Sequence, residues 1–173
     1  MSSKQDVRMT NLKRRESMRH LDVVDASLHA LGYIKPLLPR NEWIGLYLPI
    51  RNELDPSLLL NQWSCLPSIE NHQLVFRAYQ EPLIDGPFGT KVSTGEIVFP
   101  RVIVVPGITF DISGYRIGYG KGYYDQYLTH QHCKIGFVHH SLMVEHLEHE
   151  VHDVPMNLIV TDQGVIEVNP CIR

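Results

Sequence analysis

The feature that most restricts how this chain can fold lies past its midpoint. Residues 101–106, Arg-Val-Ile-Val-Val-Pro, form the most apolar short run of the sequence, with no alternation of polar and apolar side chains. A strand apolar on both faces belongs at the centre of a sheet that is covered on both sides. Other strand-like stretches flank it. Residues 43–49 read as a buried strand ended by Pro49, and residues 64–66 as a brief strand before Pro67. Residues 73–79 alternate and read as a half-buried strand. Residues 134–140 and 157–162 add further strands, with a hairpin-like return at Gln163-Gly164. Strands that alternate with helical stretches predict an α/β layered domain.

The helical signal is strongest at the start. Over residues 4–31, Val7, Met18, Leu21, Val24, Leu28 and Leu31 fall within one apolar arc at helical spacing. Beside that arc Lys4, Arg8, Asn11 and Arg15 form a polar stripe. Gly32 reads as the stop. A polar turn over 51–56 leads to Pro56, which suits the first position of a short helix through Gln62. Residues 80–100, rich in Gly, Pro and Thr, read as a long surface loop, and 123–129 as a helix.

Composition closes off several function classes. At 173 residues with 43 % hydrophobic and 20 % charged side chains, one domain over residues 1–173 with a real core is expected. No run approaches the roughly 20 apolar residues of a membrane span. The first residues do not resemble a secretory signal, so a cytoplasmic location is expected. Cys65, Cys133 and Cys171 are widely spaced and read as three inert thiols rather than a disulfide framework or a metal pair. Residues 1–19 carry six basic and two acidic side chains, net +4, whereas the rest of the chain is −7. A basic head on an acidic body points to a local anion site and away from nucleic acid. A monomer is the expected state.

Chemistry concentrates between Val105 and Asp125. After the apolar strand, Gly118, Gly120 and Gly122 alternate with Tyr119 and Lys121, and a helix begins. Glycines let backbone N–H groups close on a ligand, and a concave run of such groups binds anions. The start of the following helix would add partial positive charge. Lys121 places a full charge inside the loop and Arg116 another just before it, which suits a polyphosphate. The spacing is neither that of a Walker loop, which needs Gly where Tyr115 stands, nor that of the dinucleotide fingerprint. A turn rich in glycine only for tight packing is the alternative. The five histidines between 139 and 152 include His149-Glu-Val-His152, one residue short of the metalloprotease spacing, and read as a solvated loop.

The segment as a whole resembles one family. Val-Pro-Gly-Ile-Thr-Phe-Asp (105–111) followed by Gly-Tyr-Arg-Ile-Gly-Tyr-Gly-Lys-Gly-Tyr-Tyr-Asp (114–125) is similar to 5-formyltetrahydrofolate cyclo-ligases, also called methenyltetrahydrofolate synthetases. Weaker likenesses flank it: Lys4-Gln-Asp-Val-Arg8, Tyr47-Leu-Pro-Ile-Arg-Asn-Glu53, and His152-Asp153 with the strand that follows. The resemblance implies a three-layer fold, a mixed, largely parallel sheet with helices on both faces and an ATP site at strand C-termini. It implies ATP-dependent closure of 5-formyltetrahydrofolate, the small-molecule substrate, to 5,10-methenyltetrahydrofolate through a phosphorylated formyl group, with ADP and phosphate released. Such chemistry asks for cations around the transferring group.

The same resemblance assigns roles. Lys4 and Arg8 would contact the ATP phosphates, and Arg116, Ile117, Gly118, Tyr119, Gly120, Lys121, Gly122, Tyr123 and Tyr124 would wrap the nucleotide. Lys121, Arg116 and Tyr123 would carry the chemistry. Glu53, Tyr119 and Tyr123 would border the folate, with Glu53 accepting from the pterin N–H groups. Asp125 would bind Mg²⁺, with Asn157 standing where the family has a second metal-side aspartate. Blander roles compete: a solvated helix face for Lys4 and Arg8, helix capping for Glu53, core packing for the tyrosines, and a helix-start acid for Asp125. The chain also carries Val92-Ser93 where the family has Glu-Pro. That leaves two rival readings: an ATP-dependent enzyme acting on another formylated substrate, or a folate- or nucleotide-binding protein without catalysis.

Overall fold

A computed structural model describes residues 3–128, 132–169 and 171. The helices are α1 (Lys4–Glu16), α2 (His20–Ile34) and α3 (Tyr123–Tyr127). The strands in chain order are β1 (Ile44–Gly45), β2 (Ser64–Glu70), β3 (Gln73–Ala78), β4 (Ile84–Asp85), β5 (Lys91–Val92) and β6 (Ile97–Val98). They continue with β7 (Val102–Pro106), β8 (Thr109–Phe110), β9 (Arg116–Ile117), β10 (Cys133–Phe137), β11 (Leu158–Thr161) and β12 (Gly164–Glu167).

Eight of these strands form one sheet in the order β12-β11-β10-β7-β1-β2-β3-β6. The apolar strand β7 lies inside it, parallel to β1 and β10, and β2 and β11 extend the parallel core. The outer pairings β11–β12, β2–β3 and β3–β6 are antiparallel. Alternation along β7 explains why it is apolar throughout. Val102 and Val104 pack with Ala26, Ala30 and Ile34 of α2 on one face. Ile103 and Val105 pack on the other with Phe110, Leu128 and the tyrosines of α3. Helices therefore cover both faces, as the α/β reading requires.

Two helices form where the sequence suggests one. Ser3 and Asp6 cap α1 reciprocally, and the chain leaves helical geometry around residues 17–19 before α2 starts. The break resets the helical phase, so within α2 the expected apolar arc is mostly not the buried face, with Leu31 its one buried member. Leu21 is 76 %, Val24 41 % and Leu28 53 % exposed, while Val23, Ala26, Ala30 and Ile34 are buried. Small side chains let α2 lie close on β11. Gly32 does not stop the helix, which continues to Ile34.

Other boundaries differ for local reasons. β2 runs through Pro67 to Glu70. The Trp63 and Cys65 carbonyls accept from the Ile44 and Leu46 N–H groups, so odd-numbered positions of β2 face β1. Pro67 lies one step beyond the end of that pairing, where no N–H is needed. Within residues 80–100 there is a hairpin, β4 with β5, closed by the Gly86 N–H donating to the Thr90 carbonyl, and then β6. The short helix after Pro56 shrinks to one 3₁₀ turn, Ser57–Leu59. The last residue of the helix expected over 123–129, Thr129, lies outside the described residues.

Cys133 and Cys171 form a disulfide, Cα atoms 5.5 Å apart, so the reading of three inert thiols is corrected. Strand order brings them together. Asn157 donates its N–H to the Lys134 carbonyl and accepts at its own carbonyl from Asn169, which returns the tail to the start of β10. Cys65 remains a thiol, fully buried, and burial pushes it up to about 12. Among the described residues no helix is long and apolar enough to cross a membrane.

Candidate active site

A cavity of about 600 Å³ opens at the carboxyl ends of β1, β2 and β7, the usual ligand position in an open parallel sheet. Its walls are α1, the turn carrying Glu53, the loop over residues 118–122, the tip of the β4–β5 hairpin and residues 150–153. The glycine loop is offset from β7 by the small β8–β9 hairpin, which feeds Arg116 and Ile117 into it. Gly120 (φ 85°) and Gly122 (φ 70°) adopt left-handed backbone, which a side chain would strain. The helix that follows is only five residues long, so its dipole adds little, and the positive field comes from side chains.

Those cations converge from distant parts of the sequence. Arg8 Nε donates to the Gly118 carbonyl at 2.9 Å, fastening α1 to the glycine loop. Lys4, one turn earlier, lines the same cavity and donates to Asp153 at 2.6 Å. Lys121 is exposed, with Nζ 5.7 Å from the Phe88 ring centroid. Arg116 is nearly buried, pairs with Asp125 at 2.8 Å and lies over the Tyr124 ring at 5.6 Å. Arg116 Nε and the Tyr124 hydroxyl are buried without a hydrogen-bond partner among the described residues. Burial raises the Tyr124 phenol well above its ordinary value, so it stays a neutral donor. Ile117 is buried under the loop, while Tyr123 borders the cavity and packs against the core.

Glu53 occupies the opposite wall and is 6 % exposed. It closes its own turn, with Oε2 accepting from the Ile50 N–H at 3.1 Å, and caps no helix. Asp55, before the 3₁₀ turn, accepts from the Ser57 N–H at 2.7 Å. Glu53 Oε1 accepts from the Tyr119 hydroxyl at 3.3 Å and faces Arg15 NH1 at 3.6 Å. Burial lifts the Glu53 carboxyl to about 7, and Arg15 restrains the rise. Tyr119 is pushed up to about 12 by the same burial and by the Glu53 charge.

Every expected site residue but one lines this cavity. Asn157 is the exception. It sits at the opposite, amino-terminal end of β11, where Oδ1 accepts from the Lys134 N–H at 3.0 Å and Nδ2 donates to the Asn169 carbonyl at 2.9 Å. Its amide ties strands together and is not a metal ligand of the cavity. The carboxylate found there instead is Asp153, held low by its hydrogen bonds from Lys4 and the Glu150 N–H against the opposing effect of burial. The sequence signal for it was the His152-Asp153 pair. Sequence pattern assigns no site role to Arg15 or Phe88. Arg15 belonged to the polar stripe on α1, while Phe88 lay in what read as plain loop. Ser93 is tied into the backbone, donating to the Ala78 carbonyl at 2.5 Å and accepting from the Gln80 N–H at 3.0 Å. Glu81 accepts from the Tyr79 hydroxyl at 2.6 Å and does not line the cavity.

Fold and cavity together define an α/β protein with a cationic, glycine-lined pocket at the ends of its parallel strands. The sequence model of the 5-formyltetrahydrofolate cyclo-ligase family matches residues 71–162, and the chain belongs to that family of ligases. A 5-formyltetrahydrofolate cyclo-ligase of Mycoplasma pneumoniae is 38 % identical over 156 residues, 83 % of this chain and 86 % of that one. The Escherichia coli K12 enzyme of the same name is 39 % identical over 70 residues, a match spanning 38 % of its length. The solution structure of an Aquifex aeolicus 5,10-methenyltetrahydrofolate synthetase superposes with a TM-score of 0.86 at 28 % identity, over 98 % of this chain and 95 % of that one.

Proposed function

We propose that the protein closes 5-formyltetrahydrofolate to 5,10-methenyltetrahydrofolate at the expense of ATP. The observation that carries this reading is the meeting of Lys4 and Arg8 from α1 with the Arg116–Tyr124 loop around one cavity whose far wall is Glu53. Cations and loop amides on one side suit the triphosphate, and a buried carboxylate on the other suits the amino and ring N–H groups of a pterin.

Bound this way, the formyl oxygen attacks the γ-phosphorus and the bond to ADP breaks. Nitrogen-10 then attacks the activated formyl carbon and gives up its proton, and the carbon–oxygen bond breaks to release phosphate. Lys121 and Arg116 offset charge on the transferring group, and Tyr123 and Tyr124 close the loop against water. The donor set fits a magnesium nucleotide better than a resident metal. Among the described residues no cluster of three acidic, histidine or cysteine ligands exists, whereas Asp125 and Asp153 border the cavity. Mg²⁺ bound through one or two carboxylates and the phosphates would neutralise developing charge.

Val92 and Ser93 favour one rival reading, a related formylated substrate, because no carboxylate stands at their place, where Val92 lines the cavity and Ser93 bonds the backbone. Near-ultraviolet absorbance of the methenyl product decides between them. With ATP and Mg²⁺ the wild type should form product from 5-formyltetrahydrofolate, and Lys121→Ala should lose roughly 100-fold in rate while staying folded. ADP release with another formamide and none with the folate would establish the rival. No ATP turnover on any formamide would reject both in favour of a binding protein.

A further inference from the structure

We infer that Arg15 is a positioning residue of this site, a buried guanidinium that keeps Glu53 ionised and aims Tyr119 without occupying the carboxylate. The inference rests on the reading of Glu53 as the pterin acceptor and deepens it. Arg15 is 1 % exposed, which is an unfavourable place for a charge that serves packing alone, since an apolar side chain would fill the space without desolvating an ion.

Its donors are distributed in a telling way. NH1 donates to the Gly107 carbonyl at 3.0 Å, at the end of β7, and NH2 donates to the Tyr119 hydroxyl. The approach of NH1 to Glu53 Oε1, 3.6 Å, is too long for a hydrogen bond and short enough for strong charge interaction. Glu53 therefore receives the field of a counter-ion while keeping lone pairs for a ligand. Nε has no partner. The Asn52 side chain donates to the Arg15 and Met18 carbonyls at 3.2 and 3.1 Å, which pins the end of α1 to the turn that carries Glu53. One residue thus sets the distance between the nucleotide loop, the end of β7 and the pterin acceptor.

The groups that bear on Glu53 are Arg15 from α1, Arg51 from its own turn, Tyr119 from the glycine loop, Tyr47 following β1 and Tyr124 from α3. The three phenols stay neutral, so the cations are Arg15, which is buried, and Arg51, which is exposed. Removing Arg15 raises the Glu53 carboxyl further and shifts its ionisation to higher pH.

The test is the pH profile of kcat/KM for the folate, from pH 5.5 to 9, in wild type, Arg15→Gln, Arg15→Met and Arg15→Lys. Wild-type activity should fall as pH drops through about 7. In the two neutral variants that fall should move up by about 1 unit or more, a loss of about fivefold or more at pH 7, carried by KM and recovered at pH 9. Arg15→Lys should stay near the wild-type profile. A uniform loss at all pH values would overturn the inference. So would neutral variants identical to wild type, or two neutral variants that fail to fold beside a folded Arg15→Lys. NMR titration of the Glu53 carboxyl carbon without ligand should shift upward in the neutral variants whether or not turnover is seen. An unshifted Glu53 in an active enzyme rejects the role of Arg15, whereas a shifted Glu53 in a protein without folate turnover rejects the reading of the site.

Discussion

Glu53 shows how one residue can join folding to chemistry. Its turn is fixed by left-handed backbone at Arg51 and Asn52 and by the Ile50 N–H, and burial then makes the carboxyl reluctant to ionise. Because the folded carboxyl titrates near 7, above the usual range, the acceptor form is present above that pH and lost below it. Glu53→Gln should raise KM for the folate roughly tenfold or more, the loss of a charge-assisted pair, and should abolish the acid-side fall near pH 7. Steady-state kinetics across pH would check both. An unchanged KM would remove Glu53 from the substrate site. The sequence offered Glu53 through its likeness to a family segment. Arg15 was visible as part of a stripe, but its place beside Glu53 depends on contacts across 38 positions that no local pattern encodes.

Among the elements, α2 is the instructive case. Helical periodicity over residues 4–31 was legible, and so was the stripe of Lys4, Arg8, Asn11 and Arg15, all of which face inward or line the cavity. The apolar arc misled because it was drawn through a break. A turn of a few residues rotates everything after it, and large side chains then outweighed the small ones that pack closest. Leu28→Ala on the exposed face should change stability by at most about 0.5 kcal/mol. Ala30→Leu, on the face against the sheet, should cost roughly 1–3 kcal/mol by overpacking. Urea denaturation of the two variants measures the difference, and the reverse order would place the wrong face on the sheet. The β4–β5 hairpin was illegible for another reason. Its strands are two residues long, and its tip, with Phe88 in left-handed backbone, is shaped by the loop it closes over.

Across the whole molecule, the layered α/β plan followed from the position of one doubly apolar strand and the alternation around it. The sheet order and the disulfide did not, because both depend on which strands neighbour each other rather than on what each contains. The same distinction runs through the cavity. Lys121 and the glycines are adjacent in sequence and could be read together, whereas Lys4 and Arg8, Glu53, and Asp153 come from three stretches that meet only in the fold. The reaction proposed for that meeting point requires the formyl oxygen to leave as part of phosphate. The direct measurement is to supply 5-formyltetrahydrofolate carrying ¹⁸O in its formyl group, with unlabelled ATP, and analyse the products by mass spectrometry. One labelled oxygen in each released phosphate is the predicted result. Label released into water with unlabelled phosphate, or methenyl product formed without ATP, would contradict it.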